Sequence, residues 1–181
     1  MKLYYTTIDL SALGLPAFRH GSAGFAAATE KGLCRLALNP LPLAEFVDEM
    51  EAQYGAKPVE DGQPFAALRG ELSDYFEGEP VAFTQKLDLR GTDFQKAVWR
   101  ELMNIPYGNV RSYKWLAAKV GKPGAARAAG NALGANMIPI LVPCHRIIES
   151  SGGLGGFGGG IELKKRLLEL EGIRAGRGVF S

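Results

Sequence analysis

The sequence predicts an α/β (α+β) N-terminal domain with an antiparallel sheet and helices, residues 1–90, followed by a mostly helical C-terminal domain with a winged-helix-like helix-turn-helix, residues 91–181. A length of 181 residues with 46% hydrophobic composition suits one domain or two small ones. Net charge changes sign at this boundary: residues 1–90 carry 8 Lys or Arg and 13 Asp or Glu, giving −5, and residues 91–181 carry 13 and 6, giving +7. Strand patterns precede the boundary, and helix patterns dominate after it.

The N-terminal domain begins with the strand pattern LYYTTIDL. GFAAAT and LCRLALN, on either side of the turn EKG, predict a β-hairpin, and VAFTQKLDL predicts a further strand. The segment FAALRGELSDYFEG predicts a helix that Gly78 stops. LAEFVDEMEAQY also predicts a helix, because its apolar side chains recur every three or four residues: Leu43, Phe46, Val47 and Met50.

The C-terminal domain opens with a helix start, because Thr92 and Gln95 have the spacing of a capping box. Ser112 is the predicted N-cap of a helix over YKWLAAKV, and Pro123 suits the first turn of a following helix at about residues 124–134. Two short helices joined by a tight turn have the outline of a helix-turn-helix. A last helix is predicted over IELKKRLLELEG.

The second helix of this pair, GAARAAGNALG, has one long side chain, Arg127. Gly130 and Gly134 each cost roughly 1 kcal/mol of helix stability relative to Ala. Either this helix packs tightly on a neighbour, or its small face approaches a narrow minor groove while Arg127 reaches in. No acidic residue occurs from Leu102 to Ile148, which indicates either a polyanion partner or a solvated basic face.

The stretch ILVPCHRIIESSGGLGGFGGG carries two candidate chemistries. Gly153, Gly155 and Gly158 spell the dinucleotide-binding pattern G-x-G-x-x-G, but 23 residues follow Gly158. That pattern needs a helix, a second strand and an acidic residue about 20 positions on, and the remaining residues leave no room for this unit. We therefore expect a flexible or closely approached loop instead.

Cys144 is the second candidate, as a nucleophile beside His145. Pro143 fixes its own φ and biases Val142 towards extended backbone, so the two side chains are expected on opposite sides, linked by a water. A reactive thiol needs a lowered pKa, which a histidine, a helix N-terminus or a nearby arginine provides. The alternative is a buried inert cysteine, which is the interpretation for Cys34.

Other features exclude several classes of protein. The two cysteines and two histidines, His20 among them, lack zinc-finger spacing, so we predict no metal. No cofactor is predicted either, because the dinucleotide-binding pattern lacks room for its second strand. No run of about 18 apolar residues and no secretion-type N-terminus occurs. Thiols in a reducing compartment, and therefore a cytoplasmic location (nucleoid-associated if bacterial or archaeal, nuclear if eukaryotic), are expected.

Six stretches, FQKAVWREL, IPYGNVRSYKWLA, ARAAGNALGAN, PILVPCHRII, SSGGLGGFGGG and KKRLLELEG, together resemble the active-site domain of O6-alkylguanine-DNA alkyltransferases, which are direct-reversal DNA repair proteins. The resemblance covers residues 91–172, whereas residues 1–90 resemble the family's N-terminal domain only in length and outline. It implies that O6-alkylguanine, with O4-alkylthymine expected as well, is flipped out of duplex DNA. The alkyl group is then transferred irreversibly and stoichiometrically to a cysteine, in a single turnover.

The resemblance assigns a role to each catalytic residue. Cys144 matches the alkyl acceptor and His145 the histidine that deprotonates it through a water. Glu171 matches the carboxylate that orients this histidine, and Asn136 the asparagine that braces the turn. Tyr113 matches the tyrosine that donates to the base and helps to rotate the phosphate.

The resemblance also implies a monomer that binds double-stranded DNA through the minor groove, with Arg127 filling the gap left by the flipped nucleotide. The other expected DNA-binding residues are Ser112, Tyr113, Ala126, Ala128 and Gly130. The expected substrate pocket consists of Pro139, Val142, Ile147, Ser150, Phe157 and Gly158. Two of these depart from the family: Phe157 keeps an aromatic wall without a tyrosine hydroxyl, and Gly158 offers only a backbone N–H in place of serine.

Three alternatives remain open. A non-catalytic alkyl-damage-binding protein of the same fold keeps Tyr113 and Arg127, but the presence of Cys144 disfavours it. A cysteine hydrolase turns over repeatedly and needs an oxyanion hole, for which the sequence offers no candidate. A helix-turn-helix regulator needs base-reading side chains, which a helix of Gly and Ala lacks.

Overall fold

The computed structural model describes residues 1–15, 22–39 and 41–173, so His20 lies outside the described residues. The chain divides into two compact units, Met1–Leu89 and Arg90–Ser181. None of the described helices is long and apolar enough to cross a membrane.

The N-terminal unit contains a four-stranded sheet in the order β3-β2-β1-β4. Pairing is antiparallel between β1 and β2 and between β2 and β3, which confirms the predicted first strand and hairpin. The fourth strand was not predicted, and it pairs parallel to β1, so the sheet is mixed rather than antiparallel. Strand β4 can lie parallel to β1 because the chain returns to this edge of the sheet through a helix, which lies between β3 and β4 in the sequence. The strands are β1 Leu3–Asp9, β2 Ala23–Thr29, β3 Gly32–Ala37 and β4 Val59–Glu60.

Two helices accompany this sheet, α1 Leu43–Tyr54 and α2 Ala66–Phe76, the latter preceded by the 3-10 turn Gln63–Phe65. Phe46 is buried and stacks on Phe25 of β2, with ring centroids 4.9 Å apart. The predicted apolar face of α1 is too wide, because Leu43, at the first helical position, is exposed.

The predicted strand over VAFTQKLDL does not form. The segment makes a single bridge between Leu87 and Leu33 of β3. Its two backbone hydrogen bonds run from Leu33 N to Lys86 O and from Asp88 N to Leu33 O, each 2.8 Å long. A Cβ at Gly32 would lie 2.2 Å from Lys86 O, so the close approach of the two backbones depends on this glycine.

The C-terminal unit is mostly helical, as predicted. The capping box of Thr92 and Gln95 is present at the start of α3, and the Ser112 hydroxyl accepts a hydrogen bond from Trp115 N at the start of α4. Gly121, at φ 74°, lies in the turn between α4 and α5, and α5 begins later than predicted. The elements are α3 Asp93–Met103, β5 Arg111–Ser112, α4 Tyr113–Lys119, α5 Ala126–Gly134, β6 Ile147–Ile148 and α6 Ile161–Leu170.

The helix-turn-helix and the PCHR segment are held together locally. Trp99 of α3 donates a hydrogen bond to Ala132 O of α5, at 2.8 Å. Strand β5, directly before α4, pairs parallel with β6, directly after PCHR. The start of the first helix of the pair is therefore tied to the backbone that follows the candidate nucleophile.

Candidate active site

Cys144 lies in a tight turn and not in an extended segment, which corrects the sequence-based expectation. Residues Cys144–Arg146 form a single 3-10 turn, in which Arg146 N donates to Pro143 O at 3.0 Å. Just before it, Cys144 N donates to Val142 O across Pro143 at 2.8 Å. Pro143 suits the entry to this turn because it has no N–H to leave unpaired. The side chains of Cys144, His145 and Arg146 are therefore not alternating, and all three are buried.

Asn136 braces this turn from the end of α5. Its amide nitrogen donates to Cys144 Sγ at 3.1 Å and to Val142 O at 2.8 Å, while its amide oxygen accepts from Ile138 N at 3.0 Å. Within the same loop Ile140 has φ 74°, a backbone conformation that a β-branched residue rarely adopts. Such strain costs of the order of 1–3 kcal/mol and persists only where the surroundings enforce it. Hydrogen bonds flank Ile140 on both sides: Asn136 contacts Ile138 N and Val142 O, and Val142 N donates to Ile138 O at 3.0 Å.

His145, Arg146 and Glu171 form a buried network. His145 Nε2 lies 2.8 Å from Glu171 Oε1, and neither side chain has any solvent exposure. Arg146 donates from Nε to Glu171 Oε2 at 2.9 Å and from a terminal nitrogen to Oε1 at 2.9 Å, and its other terminal nitrogen donates to Ile105 O at 2.6 Å. Gly108 N donates to Glu171 Oε2 at 3.1 Å. Glu171 is thus fixed in place by a histidine, an arginine and the backbone.

At neutral pH the charged members of this network are Glu171 and Arg146. Burial by itself raises the pKa of Glu171, but the hydrogen bonds of His145 and Arg146 and the positive charge of Arg146 outweigh it and lower the pKa to about 2. Burial lowers the pKa of His145, with further lowering by the charges of Arg146 and Lys164, against the opposing effect of Glu171. His145 is consequently a neutral imidazole at neutral pH, and it is able to take up a proton as a base.

Lys164 is a completely buried lysine on α6. Its ammonium group donates to Ile147 O of β6 and to Leu154 O of the glycine-rich loop, and it lies 5.9 Å from the centre of the Tyr113 ring. Burial lowers the pKa of Lys164 to about 8. Burial raises the pKa of Cys144, but the Asn136 hydrogen bond and the Lys164 charge act in the opposite direction. The thiolate therefore has the Asn136 amide, the backbone N–H groups of Cys144 and His145, and one nearby cation in its favour.

Sequence reasoning missed two members of this site, Arg146 and Lys164. A signal existed for Lys164, because its position in α6 shares the apolar stripe of Leu163, Leu167 and Leu168. A charged residue on such a stripe needs a buried partner. For Arg146 no local signal exists, because its partner Glu171 lies 25 residues further along the chain.

A cavity of about 580 Å³ opens between α5 and the glycine-rich loop. Arg127 is exposed on α5 and lines it, as do Gly130 and Gly134 on the same helical face. This arrangement gives α5 a small-residue face towards open space, whereas Ala129, Ala132 and Leu133 are buried. The cavity is lined by Tyr113, Ala126, Arg127, Gly130, Asn131, Leu133, Gly134, Glu149, Gly155, Gly156, Phe157 and Gly158.

The Tyr113 side chain lies next to two glycines, Gly130 and Gly155. A Cβ at Gly155 would lie 2.7 Å from the Tyr113 hydroxyl, and one at Gly130 would lie 3.6 Å from its ring. The hydroxyl donates to Gly156 O at 3.3 Å. Burial and the negative charges of Glu149 and Cys144 raise the pKa of Tyr113, so it remains a proton donor at neutral pH.

The structure brings some of the predicted pocket residues together and leaves others apart. Phe157 and Gly158 line the cavity, whereas Val142 and Ile147 are fully buried and Pro139 is half-buried, and none of these three lines it. Ser150 is exposed and lines a separate cavity of about 450 Å³. Of the predicted DNA-binding residues, Ser112 lines this second cavity and Ala128 is exposed. The pocket assignment of Pro139, Val142, Ile147 and Ser150 stays a prediction.

No group of three or more His, Cys, Asp or Glu side chains that could hold a metal ion occurs among residues 1–15, 22–39 and 41–173.

Comparison with known proteins points to one family. The model of the 6-O-methylguanine DNA methyltransferase DNA binding domain matches residues 93–173, and that of the ribonuclease-like domain of the same proteins matches residues 26–89. The methylated-DNA–protein-cysteine methyltransferase of Mycobacterium tuberculosis (strain ATCC 25618 / H37Rv) is 55% identical over 115 residues, 64% of this chain and 70% of that protein. The inducible methylated-DNA–protein-cysteine methyltransferase of Bacillus subtilis (strain 168) is 40% identical over 148 residues, 81% and 83% of the two chains.

Solved structures agree with the sequence comparison. The crystal structure of Mycobacterium tuberculosis OGT in complex with DNA is similar with a TM-score of 0.73 at 41% identity, covering 93% of this chain and 92% of that one. The O6-methylguanine-DNA methyltransferase of Pyrococcus kodakaraensis strain KOD1 has a TM-score of 0.62 at 25% identity, covering 94% and 99%. The matched residues thus lie in both units and include the PCHR turn. The chain belongs to the methylated-DNA–protein-cysteine methyltransferase family.

Proposed function

We propose that this protein repairs O6-alkylguanine in double-stranded DNA by moving the alkyl group onto Cys144, once per molecule. One observation carries the proposal: Asn136 donates a hydrogen bond to Cys144 Sγ, while the adjacent His145 is held by Glu171 at 2.8 Å. A sulfur that accepts a hydrogen bond and has a neutral base beside it in the chain is arranged as a nucleophile. An inert buried cysteine needs none of these partners.

The proposed reaction is a displacement at the alkyl carbon. His145 removes the thiol proton, through a water molecule. Glu171 orients the resulting imidazolium and compensates its charge, while Arg146 holds Glu171 in place. The thiolate attacks the alkyl carbon, the S–C bond forms and the C–O6 bond breaks. The electron pair of the C–O6 bond goes to guanine, which takes up a proton, so the products are guanine and a thioether. A thioether has no carbonyl for water to attack, and the protein is therefore consumed.

Tyr113 is the proposed proton donor to the leaving base. Its hydroxyl faces the glycine-rich loop beside the cavity, and its raised pKa keeps the proton in place until the base becomes more basic. Gly155 leaves room for the tyrosine in this position, because a side chain there would collide with the hydroxyl.

Access of the base to Cys144 requires that it leaves the duplex, because the O6 position lies inside the base stack. The small face of α5 fits a minor groove, and Arg127 at the cavity edge is the proposed occupant of the space left by the base. The positive charges of the acid-free stretch from Leu102 to Ile148 bind the DNA backbone, so affinity falls as salt rises. The protein is proposed to act as a monomer without a cofactor.

Mass spectrometry of the intact and digested protein tests this proposal after incubation with duplex DNA that contains O6-methylguanine. The expected result is one added methyl group per molecule, on the peptide of Cys144 and not on that of Cys34, with unmodified guanine restored in equal amount. Repeated turnover by one molecule would contradict the mechanism and favour a hydrolase. Tight binding of the damaged duplex without an adduct would favour the non-catalytic alternative.

A further inference from the structure

The described lining of the 580 Å³ cavity contains a single carboxylate, that of Glu149. Glu149 is also the first acidic residue after the acid-free stretch that ends at Ile148. A negative charge at a surface that binds DNA opposes the phosphates. DNA binding therefore does not explain the presence of Glu149, and we consider its effect on a group bound in the cavity.

Local contacts hold the Glu149 side chain in position. Glu149 N donates to Gly153 O at 2.8 Å, and Gly152 N donates to Glu149 O at 3.0 Å, which closes a tight turn. The Ser151 hydroxyl donates to Glu149 Oε2 at 3.2 Å. A Cβ at Gly153 would lie 2.5 Å from the same oxygen, so a side chain there would displace the carboxylate from this position.

The charge of Glu149 acts on the groups that surround the reacting sulfur. Burial raises the pKa of Tyr113, and the charges of Glu149 and Cys144 raise it further. Burial lowers the pKa of Lys164, and the charges of Cys144 and Glu149 oppose that lowering. Two cations lie near Glu149, and the charge of Lys164 interacts with that of Glu149. Lys164 is fully buried with its ammonium on two backbone carbonyls, and Arg127 is exposed and proposed to fill the base stack.

We propose that Glu149 is a specificity-determining residue, which selects against alkyl groups that carry a negative charge. The inference rests on the proposed function, because it takes the cavity to be the place where the alkylated base binds. Glu149 is exposed, so solvent screens its charge in part. An anionic substituent near Glu149 is still repelled, whereas a neutral substituent of the same size and shape is not. The expected substrates are therefore neutral alkyl groups.

Two adducts of matched size test this inference: O6-carbamoylmethylguanine, which is neutral, and O6-carboxymethylguanine, which is anionic. Single-turnover transfer rates are measured for both in the same duplex, and the neutral-to-anionic rate ratio is compared between proteins. Glu149→Gln is expected to lower this ratio by about 3- to 100-fold, from one pair of charges about 6 Å apart with an effective dielectric constant between about 80 and 20. Glu149→Asp, which keeps the charge, should retain most of the preference. Glu162→Gln is the matched control, because it removes one negative charge from an exposed position of α6 outside the cavity lining, and it should leave the ratio unchanged.

The outcomes separate this inference from the proposed function. Failure of the wild-type protein to transfer even a methyl group contradicts the proposed function. Methyl transfer with a ratio that stays the same in wild type and Glu149→Gln overturns the inference alone. Glu149→Ser provides a second neutral variant, so a folding defect of one substitution cannot decide the result. A ratio that falls equally in Glu162→Gln also overturns it, since net charge and not position is then responsible.

Discussion

The two compact units bury different kinds of polar side chain. Among the described residues, the unit Met1–Leu89 buries two polar side chains, Thr6 and Thr29, around an otherwise apolar core. The unit Arg90–Ser181 buries four ionisable side chains, His145, Arg146, Lys164 and Glu171. Burial of an ionisable group destabilises a fold unless partners compensate it, and even then the gain in stability is small. The second unit thus gives up stability where the chemistry requires charge.

The two cysteines, one in each unit, differ in the hydrogen bond that the sulfur atom makes. Cys34 and Cys144 are 2% and 5% exposed, so burial does not distinguish them. Cys34 Sγ donates to Ala27 O at 3.3 Å, which favours the neutral thiol. Cys144 Sγ accepts from Asn136 at 3.1 Å, which favours the thiolate. The direction of the hydrogen bond separates the structural cysteine from the candidate nucleophile.

The largest effect is expected for Cys144→Ala, which should abolish alkyl transfer. Affinity for DNA should stay within about threefold, because a buried thiol makes no phosphate contact. Cys34→Ala is the matched control and should transfer methyl at nearly the wild-type rate, despite losing some stability. Single-turnover kinetics and a DNA-binding titration measure both properties. Loss of transfer in Cys34→Ala with an intact fold would break the comparison between the two cysteines.

Glu171→Gln is expected to have the next largest effect. It leaves Arg146 buried beside a neutral amide, which should destabilise the unit by about 3–5 kcal/mol. It also releases His145 from its orienting carboxylate, so the transfer rate should fall by up to about 10²- to 10⁴-fold. Denaturant unfolding and single-turnover kinetics measure the two losses. Glu169→Gln, two residues earlier at an exposed position, serves as the control.

The same carboxylate predicts a window of acid lability. The pKa of Glu171 is lowered from 4.5 to about 2 in the folded protein, so its contribution to stability is present above about pH 4.5. This contribution, on the order of 3 kcal/mol, is lost as pH falls from 4.5 towards 2. The lowered pKa of His145 acts in the same direction below pH 6.5, since the unfolded chain then binds the proton more readily. Glu171→Gln should remove the lower part of this pH dependence, and a slope that is unchanged there would contradict the assignment.

Sequence rules succeeded where the partners are close in the chain. The capping box of Thr92 and Gln95 and the hairpin β2–β3 were predicted because all their contacts are local. The prediction of an extended backbone at Cys144 was wrong, because the rule for residues before proline says nothing about the turn that follows the proline. The two buried cations need partners that only the fold brings together: Glu171 for Arg146, and two loop carbonyls for Lys164. The roles of Glu171 and Asn136 came from the family resemblance and not from spacing.

Arg127→Ala extends the comparison to an exposed cation. If Arg127 fills the space of the extruded base, its loss should slow repair of duplex DNA by roughly 10- to 1,000-fold, the range that about 1.4 to 4 kcal/mol gives. Reaction with free O6-benzylguanine needs no flipping and should change little. Arg127→Lys should recover only part of the duplex rate, since an ammonium does not stack like a guanidinium. Equal losses with duplex and free base would assign Arg127 to the cavity or the fold instead.

The smallest effect is expected for Lys164→Met, which replaces the buried ammonium with an apolar side chain of similar length. The positive charge of Lys164 lowers the pKa of Cys144 against the effect of burial, so the variant should hold less thiolate at neutral pH. The transfer rate at pH 7 should fall by about 3- to 30-fold, the loss expected for one partly screened charge. Because the pKa of Lys164 is about 8, the wild-type protein loses the same charge at higher pH, and the two rates should converge above that value. Lys165→Met, at the adjacent exposed position, is the matched control. A rate deficit of the same size at every pH would show that Lys164 serves only to hold the glycine-rich loop, and the buried cation would then belong to the fold and not to the chemistry.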